Sequence, residues 1–238
     1  MAKRFIVKQE NITKLDNTLI VYGEEVHHIN VLRYNIGDTL YINEYEMKIE
    51  KRSKEMLEGT IIGKLPQRGI PNINITLIQA YLKSDKMDYV VQKAVELGVT
   101  SIVPVITKNT VVKLDEKDKI KKQERFSRIA KEAVEQCGRT DMVTVQRIEN
   151  ISKINFQAFD KVLVCHETSN VNLKETLNSL KGYKNIAVVI GPEGGLDNAE
   201  VSLMLQNDNA TDISLGERIL RAETASLAIL SILGYELC

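Results

Sequence analysis

Two short stretches near the end of the chain combine glycines with charged side chains at a spacing that could hold a ligand. The first, GPEGGL (191–196), stands between an apolar run and an acidic segment, as a loop between a strand and a helix does. Glycines let a backbone approach a ligand closely, whereas Glu193 and Asp197 would repel a phosphate bound at a helix N-terminus. The stretch therefore indicates either a site for a ligand without phosphate or simply a tight glycine turn.

The second stretch, LGERILRAETA (215–225), concentrates charge immediately before an apolar segment. Arg218 and Arg221 lie three residues apart, beside Glu217 and Glu223. A capped helix start with a surface ion pair would explain this composition by folding alone. The functional interpretation is a backbone-rich pocket for a neutral base, with Arg221 extending into the reaction site.

Several common kinds of site are absent from the sequence. No G-x-G-x-x-G occurs, and the stretch nearest to a P-loop, GTIIGKL (59–65), is one residue short and has Leu65 where Ser or Thr would bind magnesium. The three cysteines lie far apart and only three histidines occur, so we expect neither a metal site nor a disulfide framework. An enzyme acting on a nucleotide phosphate is therefore an alternative that the motifs disfavour.

From about residue 71 onward, predicted strands alternate with predicted helices. This alternation predicts an α/β fold with a mostly parallel, doubly wound sheet and helices on both faces. Ligands of such sheets bind at the carboxyl ends of the strands. CHETS (165–169), GPEGGL and LGERILRAETA each follow a predicted strand, so we expect them to meet at one edge. Ser84 is the predicted N-cap of an early helix, and Asp197 or Asn198 is expected to cap the helix after GPEGGL.

The earlier part of the chain shows short alternating runs separated by turn signals. This pattern predicts a small β-barrel, in which His27 and His28 are interpreted as an ordinary polar pair on a strand. PQRGIP (66–71) breaks the pattern and is the predicted linker. We therefore expect a β-domain over residues 1–70 and an α/β domain over residues 71–238.

The composition bears on partners and location. The 238 residues include 32 Lys+Arg and 32 Asp+Glu, so the whole chain has no net attraction to nucleic acid or to a membrane. The segment 108–139 is locally basic, which suits either a solvated helix face or a surface that follows a phosphate backbone. The sequence starts without the apolar core of a signal peptide and lacks an apolar run long enough to span a bilayer, so we expect a cytoplasmic protein.

IGPEGGL (190–196) followed by LGERILRAETA resembles the paired motifs of the trefoil-knot (SPOUT) methyltransferases. HINVLRYNIGD (28–38), KSDKMDYVVQKAVELGVTSIVPVIT (83–107) and EAVEQCGR (132–139) are similar to signatures of one branch. That branch is the bacterial ribosomal RNA small subunit methyltransferase E family, and the resemblance spans nearly the whole chain.

The resemblance implies an activity and a set of partners. It implies transfer of a methyl group from S-adenosylmethionine to N3 of a uridine in 16S ribosomal RNA, with that RNA or the small ribosomal subunit as substrate. It also implies a PUA-like β-barrel that binds RNA, a trefoil-knotted α/β domain and a homodimer.

The resemblance further implies site residues by motif position. Cofactor binding is expected at His166, Ile190, Gly191, Glu193, Gly195, Leu215, Gly216, Ile219, Leu220, Arg221, Thr224 and Ala225. RNA contacts are expected at Arg4, His28 and Arg33. ITKNTVV (106–112) stands where the family usually has a more arginine-rich segment. This chain therefore has less positive charge at that segment for contact with RNA.

Methylation of uracil N3 requires a proton acceptor and a cation near O2 and O4, where negative charge develops. We hypothesise that Arg221 or Arg139 stabilises the uracil anion and that Glu193 serves either as the base or in positioning. Two alternatives stay open: a non-catalytic RNA-binding or ribosome-assembly protein, and a methyltransferase of the same superfamily with a different RNA target.

Overall fold

The computed structural model describes residues 3–65 and 69–237. The chain divides into two compact units: Met1–Ile70 together with Glu135–Asp141, and Pro71–Val134 together with Met142–Cys238. Most of the predicted linker, residues 66–68, lies outside the described residues.

The first unit is built on a six-stranded sheet in the order β1-β4-β5-β6-β3-β2. β1 pairs with β4 in parallel, and the other pairs are antiparallel. One face is apolar, because alternate strand residues such as Leu19, Val21, Leu40 and Ile42 point inward and are fully buried. The elements are β1 (Arg4–Phe5), a 3-10 turn (Gln9–Asn11), β2 (Ile12–Leu15), β3 (Thr18–Tyr22), α1 (Glu24–Val31), β4 (Thr39–Ile42), β5 (Tyr45–Arg52) and β6 (Met56–Lys64).

Helix α1 corrects the strand interpretation of the two adjacent histidines. Glu24 and Glu25 lie in its first turn, where acidic side chains favour a helix. Val26 and Ile29 are fully buried three residues apart, so they share one helical face. His27 and His28 therefore lie on a helix, and the prediction that they occupy a strand was wrong.

The second unit contains the remaining elements. They are β7 (Asn74–Ala80), α2 (Lys86–Glu96), β8 (Ser101–Ile106), α3 (Glu116–Cys137), β9 (Thr144–Val145), β10 (Glu149–Asn150), 3-10 turns at Ile151–Lys153 and Phe156–Ala158, β11 (Lys161–Cys165), α4 (Leu173–Ser179), β12 (Asn185–Ile190), α5 (Asn198–Leu205), β13 (Ala210–Ile213) and α6 (Ala222–Leu237). The last residues of α3, from Glu135, group with the first unit.

The strands of the second unit form one parallel sheet in the order β10-β8-β7-β12-β11-β13, with β9 also paired to β8. This confirms the predicted parallel sheet of an α/β fold. Register pairs Gln79 with Ile190, Ile190 with Cys165, and Cys165 with Ile213. Four neighbouring strands therefore end level with one another, and the loops that follow them start from one edge.

The predicted N-cap residue is confirmed for helix α5 and is wrong for helix α2. Asp197 caps α5, accepting a hydrogen bond from the Ala199 N–H at 3.0 Å, while Glu200 completes a capping box. Ser84, in contrast, has φ of 55°, and Asp85 is the N-cap of α2 without a side-chain capping bond. The prediction that Ser84 caps this helix was wrong.

Among the helices within residues 3–65 and 69–237, none combines the length and the apolar character needed to cross a membrane.

Candidate active site

The loops after β11, β12 and β13 surround a cavity of about 330 Å³ at the carboxyl edge of the parallel sheet. A cavity of this size is within the usual range for small-molecule sites. Eleven of the twelve residues predicted to bind cofactor line it, and Thr224, which lies in the first turn of α6, does not. The lining residues from the prediction are His166, Ile190, Gly191, Glu193, Gly195, Leu215, Gly216, Ile219, Leu220, Arg221 and Ala225.

Two glycines shape the cavity through their backbone conformation. Gly195 has φ of 72° and Gly216 has φ of 113°, a region that residues with a side chain rarely adopt. Space at Gly191 is tight, because a Cβ there would lie 3.0 Å from the Leu196 backbone nitrogen. Because glycine has no side chain, these three glycines present main-chain groups to the cavity.

A tight turn at residues 107–110 braces the GPEGGL loop. The side-chain amide of Asn109 donates to the Gly194 carbonyl at 3.2 Å and to the Gly195 carbonyl at 3.1 Å. The turn itself is closed by the Thr110 N–H, which donates to the Thr107 carbonyl at 3.0 Å. The hydrogen bond between Asn109 and Gly194 joins two segments about 85 residues apart in the sequence.

Lys108 ties the same turn to the start of α5. Its backbone N–H donates to Glu200 Oε1 at 2.9 Å, and its ammonium donates to Asp197 Oδ2 at 2.6 Å. The hydrogen bond from Lys108 and the amide of Ala199 hold the pKa of Asp197 below its usual value. The turn at residues 107–110 therefore supports the glycine loop, a role that the sequence did not reveal.

The charges that line the cavity balance. Lys86, Arg218 and Arg221 are matched by Glu167, Glu193 and Glu217, three of each sign. Lys86 Nζ lies 3.6 Å from Glu193 Oε1 and 3.3 Å from Glu223 Oε1. The cavity's lysine is therefore engaged by carboxylates, and the site does not have the excess positive charge of a phosphate site.

Glu193 is held in its ionised form. Burial would raise the pKa of its carboxyl, but hydrogen bonds from its own amide and from the Lys83 N–H, with the charges of Lys86 and Lys83, lower it overall. The Lys83 bond measures 3.1 Å. A carboxylate with a lowered pKa is a weak base near neutral pH, so its surroundings favour positioning over proton abstraction.

Arg221 occupies the last position before α6. Its carbonyl accepts the Ala225 N–H at 2.8 Å, which closes the first turn of the helix. Its side chain is exposed and lines the cavity. Within the described residues it makes no ion pair, so its guanidinium is available to a ligand.

A buried polar pair links α6 to the central strand β7. Ser226 Oγ lies 2.5 Å from Gln79 Oε1, and both residues are fully buried. Ser226 lies one residue after the cavity-lining Ala225, so this bond fixes the first turn of α6 against the sheet. Position 79 gave no signal in the sequence because a single glutamine in an apolar run has no recognisable motif.

Cys165 lines the cavity at the end of β11. Burial raises the pKa of its thiol to about 12. The thiol is therefore protonated at neutral pH and unsuited to nucleophilic attack.

The remaining predicted residues belong to the first unit. Arg139 is only 3% exposed and pairs with Asp141 at 2.5 Å. Arg4 is also buried and donates to the backbone carbonyls of Asn43 at 2.8 Å, Thr140 at 3.1 Å and Arg139. The guanidinium of Arg4 is thus committed to holding its own unit together, although RNA contact by Arg4 stays a prediction.

His28 and Arg33 lie at and just beyond the end of α1. His28 is half-buried, with Nδ1 3.6 Å from Glu25 Oε2 and its ring edge-on to Phe5 at 5.5 Å between centroids. Arg33 is exposed and has φ of 61°. Of the three predicted RNA contacts, Arg33 is the most accessible.

No cluster of three or more His, Cys, Asp or Glu side chains suited to a metal ion occurs in the part of the chain that the structure describes.

Comparison with known proteins identifies the class to which this protein belongs. Residues 70–234 match the RNA methyltransferase domain family. The structure is similar to that of a ribosomal RNA small subunit methyltransferase E from Neisseria gonorrhoeae bound to S-adenosyl methionine, with a TM-score of 0.82, 27% identity and coverage of 99% of this chain and 98% of that one. The fold is therefore that of an RNA methyltransferase domain.

Full-length relatives define the particular family. The chain is 36% identical to the ribosomal RNA small subunit methyltransferase E of Bacillus subtilis, over 99% of this chain and 97% of the relative. It is 31% identical to the protein of the same name from Aquifex aeolicus, over 91% and 94%. The chain belongs to the ribosomal RNA small subunit methyltransferase E family.

Proposed function

We propose that this protein uses S-adenosylmethionine to methylate N3 of a uridine in 16S ribosomal RNA of the small ribosomal subunit. The observation that carries the proposal is the glycine-lined, charge-balanced cavity at the carboxyl edge of the parallel sheet, in a chain of this family. The proposed place of action is the cytoplasm, where small ribosomal subunits are found.

The cavity suits this cofactor on three counts. Its volume of about 330 Å³ accommodates a nucleoside-sized ligand. Gly191, Gly195 and Gly216 present main-chain groups to the cavity. The balance of charges around it suits a molecule with no phosphate. When bound, S-adenosylmethionine supplies an electrophilic methyl group on a sulfonium.

The proposed chemistry of the chain's own residues concerns the uracil ring. Loss of the N3 proton places negative charge on O2 and O4, and an accessible guanidinium stabilises such charge. Arg221 is supported in this role by its exposed side chain at the cavity wall, which forms no ion pair within residues 3–65 and 69–237. Arg139 is the alternative that the sequence offered for the same task, but its side chain is only 3% exposed and pairs with Asp141, so the role is assigned to Arg221. Glu193 is assigned to positioning because its lowered pKa makes it a poor proton acceptor.

The first unit is proposed to seat the RNA, as a PUA-like barrel spanning residues 1–70, with Arg33 and His28 as contacts. Residues 71–238 are proposed to form a trefoil-knotted methyltransferase domain, and the protein is proposed to act as a homodimer. These proposals are supported by the family resemblance and by the similarity to the Neisseria structure along the whole chain.

The activity is tested by incubating the protein with labelled S-adenosylmethionine and either small subunits or naked 16S RNA from a strain that lacks the modification. We expect label in the RNA. Tight RNA binding without cofactor binding would instead indicate a non-catalytic assembly protein. Label in a different RNA would indicate another target.

The role of Arg221 is tested by Arg221→Ala. We expect a fall in kcat of at least about a hundredfold, typical for loss of one group that stabilises developing charge, with S-adenosylhomocysteine binding little changed. A wild-type kcat with unchanged cofactor binding would remove Arg221 from the mechanism.

A further inference from the structure

A second cavity, of about 290 Å³, lies between helix α5 and the ends of strands β8 and β10. Ile106 is the last residue of β8 and Asn150 the last of β10, and the parallel register pairs these two residues. The cavity therefore opens at the carboxyl edge of the parallel sheet, as the candidate active site does. The two cavities share no lining residue.

The second cavity has an apolar floor and a mostly polar rim. Phe156 and Met204 form the floor and are only 8% and 2% exposed. Asn150 and Ser152 line the rim and are exposed. Leu203 completes the rim with a large apolar side chain that is 53% exposed. Such a site suits a ligand with an apolar face and a polar edge.

The charged residues that line this cavity, Lys108 and Glu200, balance each other and both have partners. The Lys108 ammonium donates to Asp197 Oδ2 at 2.6 Å, and Glu200 Oε1 accepts the Lys108 N–H at 2.9 Å. A phosphate would have to compete with Asp197 for the lysine and would be repelled by both carboxylates. The second cavity therefore suits an uncharged group.

Asn150 brings a free hydrogen-bonding group to the rim. It is the N-cap of the 3-10 turn Ile151–Lys153, yet its side chain makes no capping hydrogen bond. An asparagine amide offers a donor and an acceptor side by side, and this pair matches the donor and acceptor on the edge of a nucleobase. The side chain is thus not used by the local fold and is available to a ligand.

A nucleobase matches the whole arrangement better than the alternatives do. Its flat faces would cover Phe156 and Leu203, as bases of single-stranded RNA do on aromatic and apolar side chains, and its edge would meet the Asn150 amide. An apolar side chain of a partner protein would cover the floor but would leave that amide unpaired.

We propose that the second cavity binds a base of the RNA substrate that lies near the uridine to be methylated. The inference rests on the proposed function, since the substrate RNA supplies the base. In the sheet order, β10 lies three strand spacings from β12, which is about 14 Å, a distance that a few nucleotides of RNA span. A base held there fixes the RNA strand along the carboxyl edge and contributes to the choice of uridine.

The test compares Asn150→Leu with Asn198→Leu, which make the same change at two exposed asparagines. Asn198 lines neither cavity and is the matched control. The probe is 16S RNA from a strain that lacks the modification, and filter binding in the presence of S-adenosylhomocysteine measures its Kd. We expect Asn150→Leu to raise this Kd at least about fivefold, because the edge of one base loses its hydrogen bonds. Asn198→Leu should stay within about twofold of the wild type.

Two further measurements separate base binding from a structural role. Leu203→Ser removes the apolar part of the rim and should also raise the Kd for RNA at least about threefold. Neither Asn150→Leu nor Leu203→Ser should change the affinity for S-adenosylhomocysteine or the unfolding midpoint by a measurable amount, since both positions are exposed. A structural role would change these two properties together with RNA binding.

Ultraviolet cross-linking locates the base directly. After irradiation of the wild-type complex and digestion with nuclease and trypsin, we expect a nucleotide attached to the peptide 148–153 or 154–161, which carry Asn150 and Phe156. Cross-links confined to other peptides would overturn the proposal, as would wild-type RNA affinity in both Asn150→Leu and Leu203→Ser while the wild type still methylates 16S RNA. A wild type that binds 16S RNA but transfers no methyl group to it would instead overturn the proposed function.

Discussion

Asn109→Asp is the most informative single change, because it removes a donor without changing the shape of the side chain. The Asn109 amide bridges the carbonyls of Gly194 and Gly195 at 3.2 and 3.1 Å. An aspartate has no N–H, so both carbonyls lose their partner and face a carboxylate instead. The loop that lines the cavity would then have to be ordered by the ligand.

The expected magnitude follows from the two hydrogen bonds. Each contributes about 1 kcal/mol, and Asn109 is half-buried, so about 1–2 kcal/mol of loop ordering is transferred to the binding step. A loss of this size corresponds to about a 5- to 30-fold weaker affinity for S-adenosylhomocysteine. Isothermal titration calorimetry measures it directly, and hydrogen exchange of residues 191–196 should become faster.

Asn198→Asp is the control. Asn198 is exposed and begins α5, so this change adds the same charge near the same loop at a position where acidic side chains are favoured. We expect its affinity to stay within about twofold of the wild type, since surface changes have small effects. Equal affinities for Asn109→Asp and the wild type, with unchanged hydrogen exchange, would refute the bracing role of the turn.

Three further predictions follow from buried groups. Iodoacetamide should alkylate Cys165 at least about a hundredfold more slowly than the exposed Cys137 at pH 8, because burial raises the pKa of the Cys165 thiol to about 12. Peptide mass spectrometry measures both alkylation rates, and similar rates would contradict this prediction. Arg4→Met should lower the free energy of unfolding by about 2–4 kcal/mol, because buried carbonyls lose a charged donor; a loss below about 0.5 kcal/mol would mean that Arg4 is dispensable to the fold. Ser226→Ala should lower the free energy of unfolding by about 1–3 kcal/mol, because it leaves Gln79 Oε1 unpaired. Adding Gln79→Leu to this variant should recover part of the loss. Strictly additive losses of the two changes in denaturant unfolding would contradict the pairing.

The parallel sheet was predictable because its signal is local. Each central strand is a short, nearly continuous apolar run between turn signals, and parallel strands buried on both faces require such runs. The meeting of three loops at one edge follows from this topology, because the carboxyl ends of parallel strands coincide. The capping of α5 by Asp197 was equally readable, since a cap depends on neighbours within one turn.

Short or exposed elements gave no comparable signal. Helix α1 has eight residues and only Val26 and Ile29 buried, too few to reveal a helical period. Strand β2 has no buried residue, so it lacks an alternating pattern. Ser84 has the composition of an N-cap but the wrong backbone conformation, which depends on the loop before α2.

The parts of the site that the sequence did not reveal are contacts between distant segments. The Asn109 bridge, the Lys86 ion pairs and the Gln79–Ser226 bond each join residues between about 85 and 147 positions apart. Such contacts have no periodicity, and their members are ordinary residue types on their own. The glycine motifs predicted the position of the cavity. The side chains that brace the cavity could be identified only from the folded structure.

The most direct test of the central claim is nucleoside analysis of 16S RNA after reaction. Small subunits from a strain lacking the modification would be incubated with the protein and S-adenosylmethionine, and the RNA would be digested and analysed by mass spectrometry against methylated uridine standards. The account predicts 3-methyluridine, approaching one per subunit, and little product with Arg221→Ala. A different methylated nucleoside, or no product from a protein that binds S-adenosylhomocysteine, would contradict it.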